Sequence, residues 1–326
     1  MRRLHVLAPA LALACVMAAS SVCGQSFPDK PIRLVTELAP GTGGDAFVRQ
    51  MVPLISANLG QPLVVDNRAG AGGLVAAEAA ARATPDGYTV LAATQNALIM
   101  RRFLSKTRGV DVFTELTAII EAWHATTVIV AGPAVPVKSL RELIYYAKAN
   151  PGKLSYGTSG FGTSHHFTGE EIQQLAGIRL THVPYKGGVG SMQGTAAGEV
   201  DIAIGFGATA LPVIRAGKVR PLALVVGRRL GNIADLPSAS DVIPGFEPPP
   251  SWLAVFAPVG VPAARLGILR RAIAKALQSP ELRTRAWEDG LELVSTPPGE
   301  FMASLRQQTE LIGRIAKAAN IQASQH

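Results

Sequence analysis

Short apolar segments with the composition of β-strands alternate along this chain with segments that carry apolar residues at helical spacing. The first such unit, residues 31–49, predicts a strand over residues 32–38, a glycine-rich turn and the start of a helix. Strands that alternate with helices indicate a mostly parallel sheet with helices on both faces. The alternation therefore predicts an α/β fold.

The turn of this first unit has the features of an anion-binding site. Gly41, Gly43 and Gly44 let the backbone turn tightly and approach a ligand without an intervening side chain. Asp45 stands where the first turn of the helix is expected, at the positive end of the helix dipole. A strand, a glycine turn and a helix N-terminus together direct backbone N–H groups at an anion. For this segment alone, an ordinary strand-to-helix turn is an equal alternative.

The same design recurs at three further places where a predicted strand ends. Glycine or hydroxyl residues occur in each of them, at residues 94–95, 157–164 and 186–188. Ligands of open parallel sheets bind outside the carboxyl ends of the strands, where all four loops are expected to meet. Backbone N–H groups and hydroxyls such as those of Thr42, Ser159 and Thr163 suit carboxylate oxygens. The four loops together predict a carboxylate site.

The N-terminal segment predicts an exported protein. Two arginines precede an apolar run, residues 4–19, which ends in small residues; this is the pattern of a secretory signal peptide, with cleavage expected after Gly24. The run is shorter than the roughly 20 apolar residues of a membrane span. Both cysteines lie in this segment, so the exported chain is expected to use neither a disulfide nor a cysteine nucleophile.

Length and charge limit the remaining possibilities. About 300 residues follow the signal, which is enough for two domains. Lys and Arg number 31 against 23 Asp and Glu, and the basic residues occur as scattered pairs that do not interleave with aromatic residues. Nucleic acid is therefore not an expected partner. The mild excess of positive charge favours anionic small molecules.

Three other chemistries have weaker support. Ser159 with His165 or His166 could form a nucleophile and base, but no Gly-x-Ser-x-Gly elbow is present. His166 and Glu170, at i,i+4 spacing, could share a metal with His165, although histidines near a helix N-terminus are the favoured interpretation. The glycine loops lack the Gly-x-Gly-x-x-Gly and Gly-Lys-Ser/Thr patterns of nucleotide sites. No catalytic residue, metal or cofactor is expected.

A set of short motifs occurs in order through the exported chain. They are FPDKPIR at residues 27–33, APG at 39–41, DNRAGAGG at 66–73, PDGYT at 85–89, PGKL at 151–154, HVPYKG at 182–187 and PGFE at 244–247. In this order the motifs resemble the Bug family, the extracytoplasmic solute-binding receptors of tripartite tricarboxylate transporters. The resemblance covers essentially the whole exported chain.

The resemblance implies two α/β domains in a Venus-flytrap arrangement of the type II periplasmic-binding-protein topology, each a mostly parallel sheet flanked by helices. The chain is expected to cross between them near Thr126 and to return in the proline-rich stretch before Trp252. Together with the signal peptide over residues 1–24, these crossings predict a first domain over 25–126 and 251–326 and a second domain over 127–250.

In that family the ligand is usually a carboxylated metabolite, held between the first glycine loop and the facing loop of the second domain. Carried onto this chain, the resemblance implies ligand contacts from Pro40, Gly41, Thr42, Gly43, Gly44, Asp45, Thr94, Gln95, Ser159, Gly160, Phe161, Gly162, Thr163, Ser164, Tyr185, Lys186, Gly187 and Phe206.

Some positions depart from the common family pattern. Thr42 stands where a second glycine is usual, and Gly44 where Thr or Ser is usual. Gly205 and Phe206 replace a polar pair that often follows the strand. The loss of polar groups beside Phe161 is consistent with a less polar, aromatic carboxylate, so the expected ligand is either a small organic (di)carboxylate or an aromatic carboxylate.

The expected function is that of a monomeric periplasmic receptor, which captures a carboxylate and delivers it to the membrane subunits of a tripartite transporter. A sensory receptor that presents its ligand to a two-component kinase is the main alternative. An exported hydrolase that uses Ser159 is a third and weaker one.

Overall fold

The computed structural model describes residues 27–105, 109–226 and 235–321. The predicted signal peptide and both cysteines lie outside these residues. Eleven strands of the described chain form two sheets, one of six strands and one of five. None of the described helices has the length and hydropathy needed to span a membrane.

The helices and strands follow each other closely along the chain. In order they are β1 (Ile32–Thr36), α1 (Gly43–Leu59), β2 (Leu63–Asn67), a 3₁₀ turn (Ala71–Gly73), α2 (Leu74–Ala81), β3 (Thr89–Thr94), a π-helical turn (Asn96–Met100), α3 (Arg101–Leu104), β4 (Leu116–Ala125), β5 (Thr127–Ala131), α4 (Leu140–Ala149), β6 (Ser155–Thr158), α5 (Ser164–Ala176), β7 (Thr181–Pro184), α6 (Gly188–Ala197), β8 (Ile202–Phe206), α7 (Gly207–Arg215), β9 (Arg220–Val226), α8 (Ala239–Val242), β10 (Trp252–Pro258), α9 (Ala263–Leu277), α10 (Pro280–Glu288), β11 (Leu291–Thr296) and α11 (Pro298–Ala318).

These elements form two units, each of which contains one of the two sheets. The first unit contains the sheet β11-β4-β10-β3-β1-β2, and the second unit contains β7-β6-β8-β5-β9. β1 pairs in parallel with β2 and β3, and β6 pairs in parallel with β7 and β8. The other five pairings are antiparallel. Both sheets are therefore mixed, although four of the six strands of the first sheet and four of the five strands of the second run in the same direction.

The mixed sheets follow from the way the chain passes between the units. β4 ends at Ala125 in the first sheet, β5 begins at Thr127 in the second, and β10 returns the chain at Trp252. β5 starts opposite the end of β8, with Thr127 beside Phe206, and Leu253 near the start of β10 lies beside the end of β3. A strand that enters a sheet at the edge where its neighbour ends must run antiparallel to that neighbour. Whether these crossings are also the domain boundaries stays a prediction.

Apolar residues cover both faces of the first sheet. Leu34 packs with Phe47 and Met51 of α1 on one face, whereas the next residue, Val35, belongs to the cluster on the other face. This alternation is the period of two expected of a strand. On the second face the rings of Trp252 and Phe301 pack edge to face, with 5.1 Å between their centroids. Two further clusters pack in the second unit. The predicted α/β fold is confirmed.

The two units touch backbone to backbone beside the first crossing. The N–H of Thr126 donates to Gly290 O over 2.8 Å, and Thr126 O accepts from the N–H of Gly207 over 2.8 Å. Gly290 has a φ of 71°. A Cβ on Gly290 would lie 3.1 Å from both Gly207 Cα and Ala208 N. Only glycine fits here without a shift of the backbone.

We expect Gly290→Ala to lower the free energy of unfolding by at least about 1 kcal/mol more than Gly217→Ala does. Gly217 is the matched control, because its φ is 67° but a Cβ there meets no atom within 4 Å. Both variants place a side chain in the left-handed region, at a cost of roughly 1–2 kcal/mol. Only the Cβ of Gly290→Ala also pushes the two units apart. Urea unfolding of the two variants measures the difference, and equal losses would argue against the contact.

Candidate ligand-binding cleft

A cleft of about 1380 Å³ lies between the two units. From the first unit its wall contains Glu37 and Leu38, which follow β1, and Thr94, the last residue of β3. From the second unit it contains Ser159, which follows β6, and Phe206, the last residue of β8. The carboxyl ends of strands from both sheets thus meet at one cleft. This is the position expected for a ligand site in an α/β protein.

Among the helices that begin in the wall of this cleft are α1, α5, α6 and α7. The wall residues at their starts are Gly43 and Gly44 of α1, Thr163 before α5, Gly188 and Val189 of α6, and Ala208 and Thr209 of α7. The first N–H groups of a helix lack partners within the helix, and its N-terminal end carries a partial positive charge. Four such ends around one space favour a negatively charged ligand.

The glycine loop of the first unit is held in place from behind. Thr42 caps α1 by accepting a hydrogen bond from Asp45 N over 3.4 Å. Asp45 in turn accepts from Gly41 N over 2.9 Å, from Asn67 Nδ2 over 2.7 Å and from Arg49 Nε over 3.0 Å. Burial opposes the ionisation of Asp45, but these donors together lower its pKa. Asp45 therefore acts as a buried anchor for the loop.

Two N–H groups of this loop remain available to a ligand. The N–H of Gly41 is used by Asp45, and the N–H of Thr42 donates to Ala39 O over 3.2 Å. By contrast, no described residue accepts a hydrogen bond from the N–H of Gly43 or Gly44, and both residues lie in the wall of the cleft. They are adjacent in the first turn of α1, so both can bind one carboxylate.

The facing loop of the second unit is braced by its own side chains. Thr163 Oγ1 donates to Gly160 O over 2.8 Å, and the N–H of Gly187 donates to Ser159 O over 3.1 Å. Gly162 has a φ of 74°, and a Cβ on it would clash with the side chain of Leu104 from the first unit. The loop therefore lies against the other side of the cleft at Gly162.

The structure brings most of the predicted ligand residues together. Thirteen of the eighteen lie in the wall, namely Gly41, Thr42, Gly43, Gly44, Thr94, Gln95, Ser159, Phe161, Gly162, Thr163, Lys186, Gly187 and Phe206. Several of them already use polar groups within the protein, Thr94 and Gln95 among them. Thr94 donates its N–H and hydroxyl to Glu37, and Gln95 Oε1 accepts from the N–H of Trp252 over 2.8 Å.

The other five predicted residues, Pro40, Asp45, Gly160, Ser164 and Tyr185, are not part of the wall. Asp45 and Ser164 are buried behind their loops. The hydroxyl of Tyr185 donates to Glu199 over 3.2 Å, away from the wall residues. For all eighteen residues, contact with a ligand stays a prediction.

Sequence reasoning missed several residues of the wall. They are Glu37, Gly70, Ala71, Gly72, Gly73, Asn96, Arg101, Leu104, Trp123, Ser251, Trp252, Arg285 and Asp289, among others. The glycines at 70–73 were visible as a second glycine-rich turn, and Gly73 packs against Ala97 so closely that a Cβ there would clash. Arg285 and Asp289 belong to α10 and its end, which no sequence pattern predicted. The segment carries no local signal for a ligand.

Behind the second-unit loop lies a cluster of histidines. The ring of His166 stacks on His182 at 4.1 Å between centroids, and His182 stacks on Tyr156 at 4.8 Å. The N–H of Gly162 donates to His166 Nδ1 over 3.1 Å. Burial lowers the pKa of His165 and of His166 to about 3, and the neighbouring His182 contributes for His166. Burial also lowers the pKa of His182 to about 4. The cluster is therefore neutral at pH 7.

This geometry argues against both the nucleophile–base interpretation and the metal-site interpretation. Ser159 Oγ does lie 2.7 Å from His165 Nδ1, but no described residue bonds to His165 Nε2, so no carboxylate orients the ring. A histidine with a pKa near 3 is also a weak base. His166 Nδ1 accepts from a backbone N–H, and its Nε2 lies 3.7 Å from Glu170 Oε1. Within the described residues, no cluster of three His, Cys, Asp or Glu side chains could hold a metal.

Comparisons with known proteins identify one family of receptors. The model of the family described as "Tripartite tricarboxylate transporter family receptor" matches residues 47–321. A protein of Bordetella pertussis described as a member of the UPF0065 family is 34% identical over 310 residues, which cover 95% of this chain and 96% of that protein.

Two solved structures are similar over most of the chain. "R. palustris Rpa4515 with adipate" is 29% identical with a TM-score of 0.80, and the match covers 91% of this chain and all of that one. "Periplasmic binding protein BugD" is 27% identical with a TM-score of 0.76 and the same coverage.

The histidine cluster predicts a dependence of stability on pH. Because the folded state lowers the three pKa values from the ordinary 6.5, the unfolded chain binds more protons between pH 6.5 and about 4. The free energy of unfolding should therefore fall on acidification, by up to about 1.4 kcal/mol per pH unit for each histidine. Urea unfolding at pH 7.5 and pH 5 should show a smaller fall for His166→Gln than for the parent protein.

The matched control is His124→Gln. Burial opposes the charging of His124, but the adjacent Glu121, together with Glu292, outweighs it and raises the pKa of His124. The stabilising contribution of His124 is therefore complete below pH 6.5 and is lost as the pH rises. Replacing it should cost more stability at pH 5 than at pH 7.5. An unchanged pH profile in His166→Gln would contradict the neutral cluster.

Proposed function

The chain belongs to the tripartite tricarboxylate transporter receptors, the family of the Bug proteins, and on this premise we propose that it captures a small carboxylate in the cleft between its two units. The family and its solved relatives are solute-binding receptors and not enzymes. The fold has the two-domain α/β architecture of a Venus flytrap. In proteins of this kind, function consists of binding and a change of shape rather than of turnover.

The observation that carries the proposal is the free pair of N–H groups on Gly43 and Gly44 in the cleft wall. Hydrogen bonds from backbone N–H groups to a carboxylate are charge-assisted and stronger than neutral ones. The starts of α5, α6 and α7 face the same space from the second unit. A carboxylate between them would bond to both units at once and so stabilise their closed arrangement.

The rest of the cleft wall supports an apolar body for the ligand. Phe161, which is 53% exposed, and Phe206 both lie in the wall, together with parts of Trp123 and Trp252. Rpa4515, solved with adipate, shows that a chain of similar fold takes an aliphatic dicarboxylate. Four aromatic side chains in this wall favour an aromatic carboxylate or an extended aliphatic one for the present protein.

We place this capture in the periplasm and assign the membrane subunits of a tripartite transporter as the partner. The family description names such a receptor, and BugD is described as a periplasmic binding protein. The signal peptide proposed over residues 1–24 would provide the export that this location requires.

Closure of the units should accompany binding. The two units are joined at the crossings around Thr126 and Ser251, and the cleft of about 1380 Å³ exceeds the 300–1,000 Å³ typical of ligand pockets. We expect the radius of gyration in small-angle X-ray scattering to decrease on saturation with a carboxylate, as in hinge closure. An unchanged radius with bound ligand would count against closure.

Gly43→Pro tests the proposed anion contact directly. Proline is tolerated at the first position of a helix and lacks the N–H, and Thr42 before it already has the extended conformation that proline requires, with φ −71° and ψ 157°. Loss of one charge-assisted hydrogen bond should weaken binding about ten- to hundredfold.

The matched control is Gly43→Ala, which keeps the N–H and adds a Cβ that meets no atom within 4 Å. A thermal-shift screen of carboxylates identifies a ligand, and calorimetry then compares the two variants. Equal affinities in Gly43→Pro and Gly43→Ala would reject the role of this N–H.

A further inference from the structure

The first-unit wall holds a group of buried polar atoms that have no hydrogen-bond partner among the described residues. They are Glu37 Oε2, Asn96 Oδ1 and Ser251 Oγ, and all three residues line the cleft. Buried polar atoms are nearly always paired in native proteins, so such a group calls for an explanation. The free N–H groups of Gly43 and Gly44 lie in the same wall but are donors, whereas these atoms can all accept.

These three residues lie around the end of β3. Glu37 is bonded to Thr94, the last residue of that strand, and Asn96 stands two positions further on. The residue between them, Gln95, bonds through Oε1 to the N–H of Trp252, which follows Ser251 directly. The unpaired atoms therefore belong to one part of the wall, where β1, β3 and β10 meet.

Glu37 determines which kind of ligand group this part of the wall can bind. Asn96 and Ser251 can both donate and accept hydrogen bonds, whereas an ionised carboxylate only accepts. Glu37 Oε1 accepts from Thr94 N over 2.7 Å and from Thr94 Oγ1 over 2.8 Å. These bonds fix the carboxyl group at the wall and leave Oε2 as its unused acceptor.

The charge of Glu37 is not balanced by a described ion pair. Burial, opposed by the hydrogen bonds from Thr94, raises the pKa of Glu37. A hydrogen-bond donor or a positive charge placed at Oε2 would oppose the effect of burial and favour the ionised carboxylate. Arg101, Lys186, Arg285 and Asp289 are the other charged residues of the wall. A carboxylate fixed in a cleft that favours anions repels any negative group placed against it.

We propose that Glu37 selects carboxylate ligands whose other end carries a hydrogen-bond donor, such as an ammonium, an amine N–H or a hydroxyl group. The inference rests on the proposed function, since it assumes that a carboxylate of the same ligand occupies the glycine loop. The donor satisfies Glu37 Oε2, and Asn96 and Ser251 complete its surroundings. The cleft then has two chemically opposite ends, donors at Gly43 and Gly44 and acceptors at Glu37.

The test compares probes that differ only at the far end. The aromatic set is 4-aminobenzoate, 4-hydroxybenzoate, benzoate and terephthalate, and the aliphatic set is 6-aminohexanoate, hexanoate and adipate. Binding to the full exported chain is measured by thermal shift and calorimetry. In at least one set we expect the donor-bearing probe to bind about tenfold or more tightly than its matched partners, the gain of one hydrogen bond to a charged group.

Glu37→Gln is the decisive variant. The amide oxygen still accepts from Thr94, but the negative charge is gone. The affinity for the donor-bearing probes should therefore fall about tenfold, whereas the affinity for adipate or terephthalate should rise. Loss of folding cannot produce changes of opposite sign. Glu78→Gln, which removes a charge from the exposed Arg82 pair of α2, is the control and should leave all affinities unchanged.

Two failures can be told apart. If carboxylates bind with no preference for a donor, or if Glu37→Gln shifts all affinities in the same direction, the selection by Glu37 is overturned while the proposed function stands. If no probe in either set binds, the capture of small carboxylates is contradicted, and the inference fails with it.

Discussion

The convergence of helix N-termini on one cleft is the feature on which the rest of the structure depends. Each sheet directs the carboxyl ends of its parallel strands at the cleft, and the helix that follows each strand must therefore begin there. The resulting N–H groups need acceptors, and in the first loop the buried Asp45 accepts from Gly41 but leaves Gly43 and Gly44 free. An anion that bridges the units completes the hydrogen bonding that the fold leaves open.

The same constraint explains the connections between the units. The chain leaves the first sheet at Ala125, where β4 ends beside the cleft, and it re-enters at Trp252 in the cleft wall. The two crossings are bonded to each other, because the N–H of Ala125 donates to Ser251 O over 2.8 Å. Thr126 connects in turn to Gly290 and Gly207. The segments that join the units therefore lie close together, as a hinge requires.

Local sequence was sufficient to identify the glycine-rich loops that form part of the cleft wall. Gly43, Gly44 and the loop at 157–164 could be identified, because a glycine turn before a helix has a composition of its own. The family and the two-domain α/β fold were also predicted correctly. Glu37 was hidden, because β1 was expected to run through residue 38, whereas it ends at Thr36 and leaves Glu37 in the wall.

Contacts that depend on the tertiary fold could not be predicted in this way. β4 is buried along most of its length but contains Glu121 and His124, which pair with each other, so its sequence lacks a clear strand pattern. The antiparallel course of β5 and β10 is set by where the chain enters each sheet. The histidine cluster needs α5 and β7, which only the fold brings together.

A crystal structure of the protein with a bound carboxylate tests the central claim most directly. The convergence of helix ends predicts carboxylate oxygens within about 3 Å of the backbone nitrogens of Gly43 and Gly44, with a second hydrogen bond from the start of a helix in the second unit. A ligand held instead by the side chains of Arg101, Lys186 or Arg285, with those two N–H groups making no contact to it, would contradict the account.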